Sequence, residues 1–282
     1  MQKLIRGKSV RIGALFVGLA LAVLGRAGDF NGADFGLMVR DVPEGEQVTY
    51  RVTFQEREEK SFALDGDLSN LESFTYRTRR YQENGREYFE MRETERIRGG
   101  FRNEFLTVFE VGSYWRLLRY SETLYSFTGK IIRSHTSDYD DAAFSFPGPL
   151  VLTHCITYWL RGIAFDRTSQ ATFYIALLGD SSPPWRIRAK VGPIEEIEAP
   201  AGKFSCYKVT IVPDMGHILG KWKWASFIIT PLIPDFFIWY STEPPHPMVK
   251  FEGALGVKGI TAVQIHELVS YQAGSPDAPA PE

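Results

Sequence analysis

The groups in this chain that could do chemistry are scattered rather than gathered. The five histidines are His135, His154, His217, His246 and His266, and no two share the close spacing at which one helix face presents a pair of imidazoles to zinc. His154 stands beside Cys155, but neighbours along a helix point in different directions. His246 is held between Pro245 and Pro247. Asp138, Asp140 and Asp141 cluster in a turn that lacks the glycine common in calcium loops, and they read as solvated. Glu195 and Glu196 are adjacent, which does not place two carboxyls around one bond. A Gly-x-Ser-x-Gly elbow, a phosphate-cradling glycine loop and a paired-cysteine metal motif are all missing from the sequence. The expectation is a non-enzymatic protein with no catalytic residue, no metal ligand and no cofactor.

The aromatic residues say more. Trp222 and Trp224 alternate with Lys221 and Lys223, and residues 225–234 that follow carry no charge. Tryptophan beside lysine at the end of an apolar run suits a bilayer interface or an amphiphilic ligand. The same residues also fit a buried hairpin whose lysines reach water. With Trp159, Ile163, Phe227 and Phe237, these tryptophans are the candidates for lining an apolar binding site. Cys155 and Cys206 are the only cysteines, so they have one possible disulfide pairing; two buried thiols are the alternative.

Period-2 patterning dictates the elements that must carry these groups. In residues 47–55, Val48, Tyr50, Val52 and Phe54 alternate with polar partners, as a half-buried strand requires. Similar stretches follow at 72–82, 86–96, 102–111, 114–125 and 130–139, with Asn84-Gly85 as a two-residue hairpin signal. Arginines and glutamates interleave through the first of these hairpins, which predicts cross-strand ion pairs on a wet face. Residues 148–165 break the rhythm: apolar positions recur at three and four, and Pro149 suits a first turn, so a helix is predicted there. Strands resume at 171–178, 185–191, 203–212, 236–240, 248–252 and 260–269.

Composition sets the wider frame. Residues 1–27 have a basic head (Lys3, Arg6, Lys8, Arg11), an uncharged run from Ile12 to Leu24, and a small residue, Ala27, at the expected cleavage point. This is the layout of a secretory signal peptide, with a retained anchor as the rival; the predicted location is periplasmic or secreted. Without that segment 27 basic and 34 acidic side chains remain, a formal charge of −7, which argues against nucleic acid and anionic headgroups as broad electrostatic partners. The domain reading is a signal peptide at 1–27, a lead-in at 28–45, one β-rich domain at 46–270 and a disordered tail at 271–282.

One series of turn and strand signals resembles a known family. Residues 198–209 (EAPAGKFSCYKV), 237–241 (FIWYS), 247–252 (PMVKFE) and 265–268 (IHEL) are similar to bacterial envelope proteins grouped as domain of unknown function 3108. The resemblance is best over residues 171–268. It implies a curved antiparallel sheet akin to the half-barrels that carry lipoproteins across the periplasm, and it supplies no catalytic residues. Residues 216–234 read as an insertion relative to that family.

The fold expected is mainly β: a strongly curved antiparallel sheet, half-barrel or open barrel, with one helix across its concave face. The function expected is binding of an apolar or amphiphilic molecule in that hollow, in lipid or lipoprotein handling. The alternative is a structural or assembly protein of the envelope that docks a partner through a sheet edge or through residues 216–234, with peripheral membrane contact as a further option.

Overall fold

The computed structural model of the chain describes residues 43–55, 70–112, 116–139, 150–152, 155–163, 165–166, 170–176, 185–230, 233, 235–254 and 263–274. The signal-peptide segment, most of the lead-in, His154, Asp140, Asp141 and residues 275–282 lie outside them.

Thirteen strands make one sheet. They are β1 (Gln47–Gln55), β2 (Leu71–Glu83), β3 (Arg86–Ile97), β4 (Phe101–Val111), β5 (Arg116–Tyr125), β6 (Ile131–Asp138), β7 (Leu150–Leu152), β8 (Gln170–Ala176), β9 (Trp185–Ala199), β10 (Gly202–Pro213), β11 (Phe236–Ser241), β12 (Met248–Ala254) and β13 (Val263–Gln272). Their spatial order is β6-β5-β4-β3-β2-β1-β13-β12-β11-β10-β9-β8-β7. The chain thus starts in the middle, winds out to one edge, passes to the opposite edge and winds back until β13 pairs antiparallel with β1. Neighbours are antiparallel except for β7 and β8, which run parallel. Asn84 and Gly85, both at positive φ, form the two-residue turn between Glu83 and Arg86, the geometry that matches strand twist in a hairpin.

The sheet has to curl. Between β6 and β7 lie residues 139–149, which reach at most about 40 Å when fully extended. Thirteen flat strands at about 4.8 Å spacing would set the two edges almost 60 Å apart. Curling brings β7 against β5, although no hydrogen-bonded ladder closes the ring among the described residues. The predicted architecture, a strongly curved and mainly antiparallel sheet left open, is what the chain adopts.

Of the helix predicted over 148–165, the described residues form two short turns: α1 (Ile156–Trp159), continued as a 3-10 turn over Leu160–Gly162. Leu150–Leu152 extends instead and pairs with β8. Short apolar runs satisfy both periods, and here an available strand edge decides the outcome. The helical segment does cross the concave face. Tyr158 packs on Tyr76 of β2 and Phe89 of β3, Trp159 packs edge-on against Phe109 of β4, and Tyr240 of β11 donates its hydroxyl to Thr157 O at 2.5 Å. Strands six places apart therefore meet on one helical turn.

A buried ion pair fixes that turn. Arg161 donates from Nη1 to Glu46 Oε1 at 2.9 Å and Oε2 at 2.7 Å, and both side chains are out of water, at 2% and 0% exposure. Its Nε and Nη2 donate to Pro245 O at 3.0 and 2.7 Å. Glu46 leads into β1 and its carbonyl accepts from Thr78 N, while Pro43 O of the lead-in accepts from Thr78 Oγ1 at 3.3 Å, so the lead-in's last residues pack on β2. All three guanidinium nitrogens and both carboxylate oxygens are engaged, the condition under which a buried ion pair is tolerated.

Two further expectations change, and one open alternative is decided. β9 runs to Ala199, well past 191, because a bulge at Gly192-Pro193 takes up the proline that cannot donate to a ladder. Tyr271 and Gln272, assigned to the tail, belong to β13 and pair with Val48 and Gln47. Cys155 and Cys206 are separate buried thiols, not a disulfide. Cys155 lies in the hollow with Sγ 3.9 Å from Thr107 Oγ1, whereas Cys206 alternates with Tyr207, which stacks on Phe165 inside, and so points to the other face.

Candidate functional site

Two places depart from an ordinary closed β core. One lies outside the sheet, the other on its inner wall.

The outer one is the excursion between β10 and β11. Pro213 ends β10, and Asp214 then caps a short helix, α2 (Met215–Ile218), accepting from His217 N at 3.1 Å while Arg186 Nε of β9 donates to it at 2.9 Å. A 3-10 stretch (Gly220–Ala225) and α3 (Ser226–Ile229) follow. Leu219 is buried, and the Arg186–Asp214 pair ties the start of the excursion to β9. Four large apolar groups turn out to water: Trp222 and Trp224 are each 58% exposed, Phe227 71% and Ile228 52%. The two indole rings lie 5.9 Å apart. Residues 215–234 contain no acidic side chain, and Lys221 and Lys223 supply their only full charges. The buried-hairpin reading of this segment is therefore replaced by an exposed helical one.

The six candidate lining residues do not come together. Trp159 and Ile163 are sealed in the core beneath the sheet's curl. Trp222, Trp224 and Phe227 lie on the excursion. Phe237 alternates with the core residue Ile238 and so faces outward, 6.0 Å from Trp239 and with Lys208 Nζ 5.0 Å from its ring centre. Beside it Glu195 accepts from Trp239 Nε1 at 2.8 Å and Lys208 Nζ at 3.1 Å, and the hydrogen bond from Trp239 leads the effects that hold its carboxyl below the usual range. Glu196 instead accepts from Ser205, so the adjacent carboxyls serve different contacts.

The inner place was missed by the sequence reading. Phe89, Met91, Glu93 and Glu95 share a parity on β3, so the two glutamates point into the hollow rather than onto the wet face. That parity was the available signal. The predicted cross-strand ion pairs do form, for instance Arg80–Glu87 at 3.5 Å and Arg86–Glu110 at 3.2 Å, but they leave Glu93 and Glu95 out. Asn103 of β4 donates from Nδ2 to Glu95 Oε2 at 3.4 Å and to Glu122 Oε1 of β5 at 3.3 Å, and Arg133 of β6 pairs with Glu122 at 2.5 Å. Phe105 is the register partner of Glu93 on one side and Glu122 on the other. Burial pushes Glu95 up to about 7, and burial with the nearby Glu95 raises Glu93 well above the ordinary carboxylate range.

The remaining histidines take local roles. His246 Nδ1 lies 2.9 Å from Ser241 O, and His135 Nε2 lies 2.9 Å from Ser137 Oγ. His266 is wedged between Phe74 and Phe251, neither ring nitrogen is hydrogen-bonded among the described residues, and burial holds it down at about 3. Among the described residues no three His, Cys, Asp or Glu side chains converge to hold a metal ion, and no helix is long and apolar enough to cross a membrane.

No protein-family model matches the chain, and no curated protein matches it. Two solved structures are similar in course. A "putative lipoprotein" from Parabacteroides distasonis shares 12% identity over 83% of this chain and all of its own, at a TM-score of 0.35. A "putative exported protein with YmcC-like fold" from Bacteroides fragilis shares 13% identity over 82% of this chain and 97% of its own, at a TM-score of 0.33. Likeness of this degree carries no information about activity or partners.

Proposed function

We propose that this chain is an exported, non-enzymatic envelope protein that rests against a membrane interface through the 215–229 excursion. One observation carries the reading: four large apolar side chains, two of them tryptophan, stand more than half exposed together on a segment free of acidic residues. A monomer that kept such a patch in water would bear a free-energy cost of about 25 cal/mol for each Å² of apolar surface. Tryptophan prefers the headgroup level of a bilayer, and lysines in the same stretch suit anionic lipid. Export is supported by the basic head and uncharged run of residues 1–24. The resemblance to the envelope family of domain of unknown function 3108 points the same way.

The carrier reading needs room for a guest. Over the described residues the middle of the hollow is occupied by Tyr158, Trp159 and the Glu46–Arg161 pair, with Tyr50, Tyr76, Phe89, Phe109 and Tyr240 packed around them. A filled centre with a sticky outer patch is what the docking alternative expects.

The test is flotation with vesicles of phosphatidylglycerol and phosphatidylcholine. The wild-type chain is expected to float, and W222S/W224S is expected to stay at the bottom with an unchanged circular dichroism spectrum. A wild type that stays at the bottom, or a double variant that floats equally well, would sink the reading.

A further inference from the structure

The large apolar side chains left in water are not spread over the molecule. Among the described residues ten stand exposed, and eight of these lie at one end of the sheet. Four belong to the 215–229 excursion; the others are Phe101, Phe127, Ile131 and Ile132, with Phe127 the most exposed at 72%. Ile194 and Val269, the remaining two, lie within β9 and β13. Strand register shows that both groups share an end. The excursion enters β11 at Phe236, which pairs with Gly253 near the close of β12; Ala254 pairs with Val263 of β13, and Val263 with Gln55 of β1. From β1, where Arg51 meets Ser73 of β2, the same end continues through Leu71–Ile97, Ile97–Phe101, Arg102–Tyr125 and Tyr125–Ile131. The Asn84-Gly85 turn marks the opposite end, where no large apolar side chain is exposed among the described residues.

The second group has the make-up of the first. Residues 123–137 contain no acidic side chain, and Lys130 and Arg133 supply their full charges. Phe127 stands in the β5–β6 turn, which is closed by Ser126 N donating to Lys130 O at 2.8 Å and Gly129 N donating to Ser126 O at 2.9 Å. The β3–β4 turn lies against it, since a Cβ on Gly100 would come 3.2 Å from Phe127 Cβ. Phe101 and Phe127 thus rise on two adjoining, hydrogen-bonded strand ends. An apolar tip with an exposed lysine beside it suits the headgroup layer of a bilayer. The chain as a whole is acidic, so anionic lipid is attracted only locally, where Lys130, Lys221 and Lys223 lie. β10 and β6 stand nine places apart in the sheet, so the two groups occupy different stretches of the rim. A second copy pairing along β6 would cover one group and leave the other wet, whereas an extended plane meets both.

We propose that the chain docks end-on, with the β5–β6 turn entering the same bilayer interface as the excursion. This rests on the membrane reading of the excursion and adds a second point of contact, and with it an orientation. The strand ends at Phe236, Ala254, Gln55 and Phe101 face the lipid, and the Asn84-Gly85 turn points away from it.

Site-directed labelling tests this, because Cys155 and Cys206 are buried and do not compete for the dye. The variants F127C, I228C and E83C, each carrying a nitrobenzoxadiazole dye, are mixed with vesicles of phosphatidylglycerol and phosphatidylcholine. The dyes at positions 127 and 228 are expected to brighten and to be quenched by lipid with a nitroxide on its upper acyl chain, and the dye at position 83 to do neither. I132C is the second probe if F127C does not fold. F127S is expected to lower the vesicle partition coefficient at least about fivefold, since it gives up apolar surface that leaves water on docking. A dye at 228 that enters lipid while those at 127 and 132 stay in water would overturn the second contact and leave the excursion reading intact. No response at any position would overturn both. A dye at 127 that brightens without vesicles as the protein is concentrated, in step with a dimer in sedimentation, would assign the turn to a second copy and overturn the end-on docking.

Discussion

Two regions of the hollow bury acidic side chains, and they do so on opposite terms. At the helical turn, Glu46 meets the fork of Arg161 with two bonds, and the guanidinium spends its other donors on Pro245 O. On the β3–β5 wall, Glu93 has no donor among the described residues and Glu95 has only the long contact from Asn103. The first arrangement is closed in hydrogen bonds and charge, and it ties the start of β1, α1 and the β11–β12 loop together. The second stays open. A buried charge that is fully answered belongs to the fold, whereas a carboxylate left unanswered takes up a proton more readily.

The difference is sharpest when one partner is removed. E46Q leaves Arg161 charged and half-satisfied inside the protein, and is expected to lower stability by about 3–5 kcal/mol in urea unfolding. The double variant E46M/R161M should lose clearly less than E46Q, since apolar side chains of similar volume need no partner. Equal losses would show that packing rather than charge dominates there. The wall should respond the other way, with E93Q no less stable than wild type at pH 8, because it removes a carboxylate that burial disfavours.

A pH series separates the regions further. In the native chain Glu95 takes up a proton below about 7, which the unfolded chain does only near 4.5. Its contribution is complete below pH 4.5 and is lost as pH rises through 7. His266 acts in the opposite sense: held neutral to about 3, it costs stability as pH falls below 6.5, where the unfolded imidazole protonates. E93Q/E95Q should therefore lose the alkaline decline in Tm and keep the acid one. A variant whose alkaline decline persists would place the responsible group elsewhere. The smallest effect expected concerns the thiols. Burial raises both, Cys206 to about 12, and neither should react with a thiol reagent until the chain unfolds, when two equivalents are consumed.

Much of the sheet was legible in the sequence, because alternation such as Val48-Tyr50-Val52 and the Asn84-Gly85 turn are local signals. The curl was partly legible too, from strand number and a single crossing helix. The length of that helix was not: residues 150–152 are apolar at either period, and only the exposed edge of β8 makes them a strand. The excursion at 215–229 was recognised by its tryptophans, but its exposure depends on what the rest of the fold leaves uncovered. Glu93 and Glu95 were read as half of a charged ladder. Their inward parity continues that of Phe89 and Met91 and could have been read, but Asn103, Glu122 and Arg133 reach them only through register across β4, β5 and β6.

The pairing of β1 with β13 sets an order of events for the newly made chain. Gln47 meets Gln272 across the seam, so one flank of the first strand lacks its partner until the final strand emerges. Up to that moment a row of backbone donors and acceptors beside Val48 and Tyr50 lies open to any passing β segment. Shielding of this early edge is therefore expected to limit the yield of folded chain more than the strength of the finished sheet does.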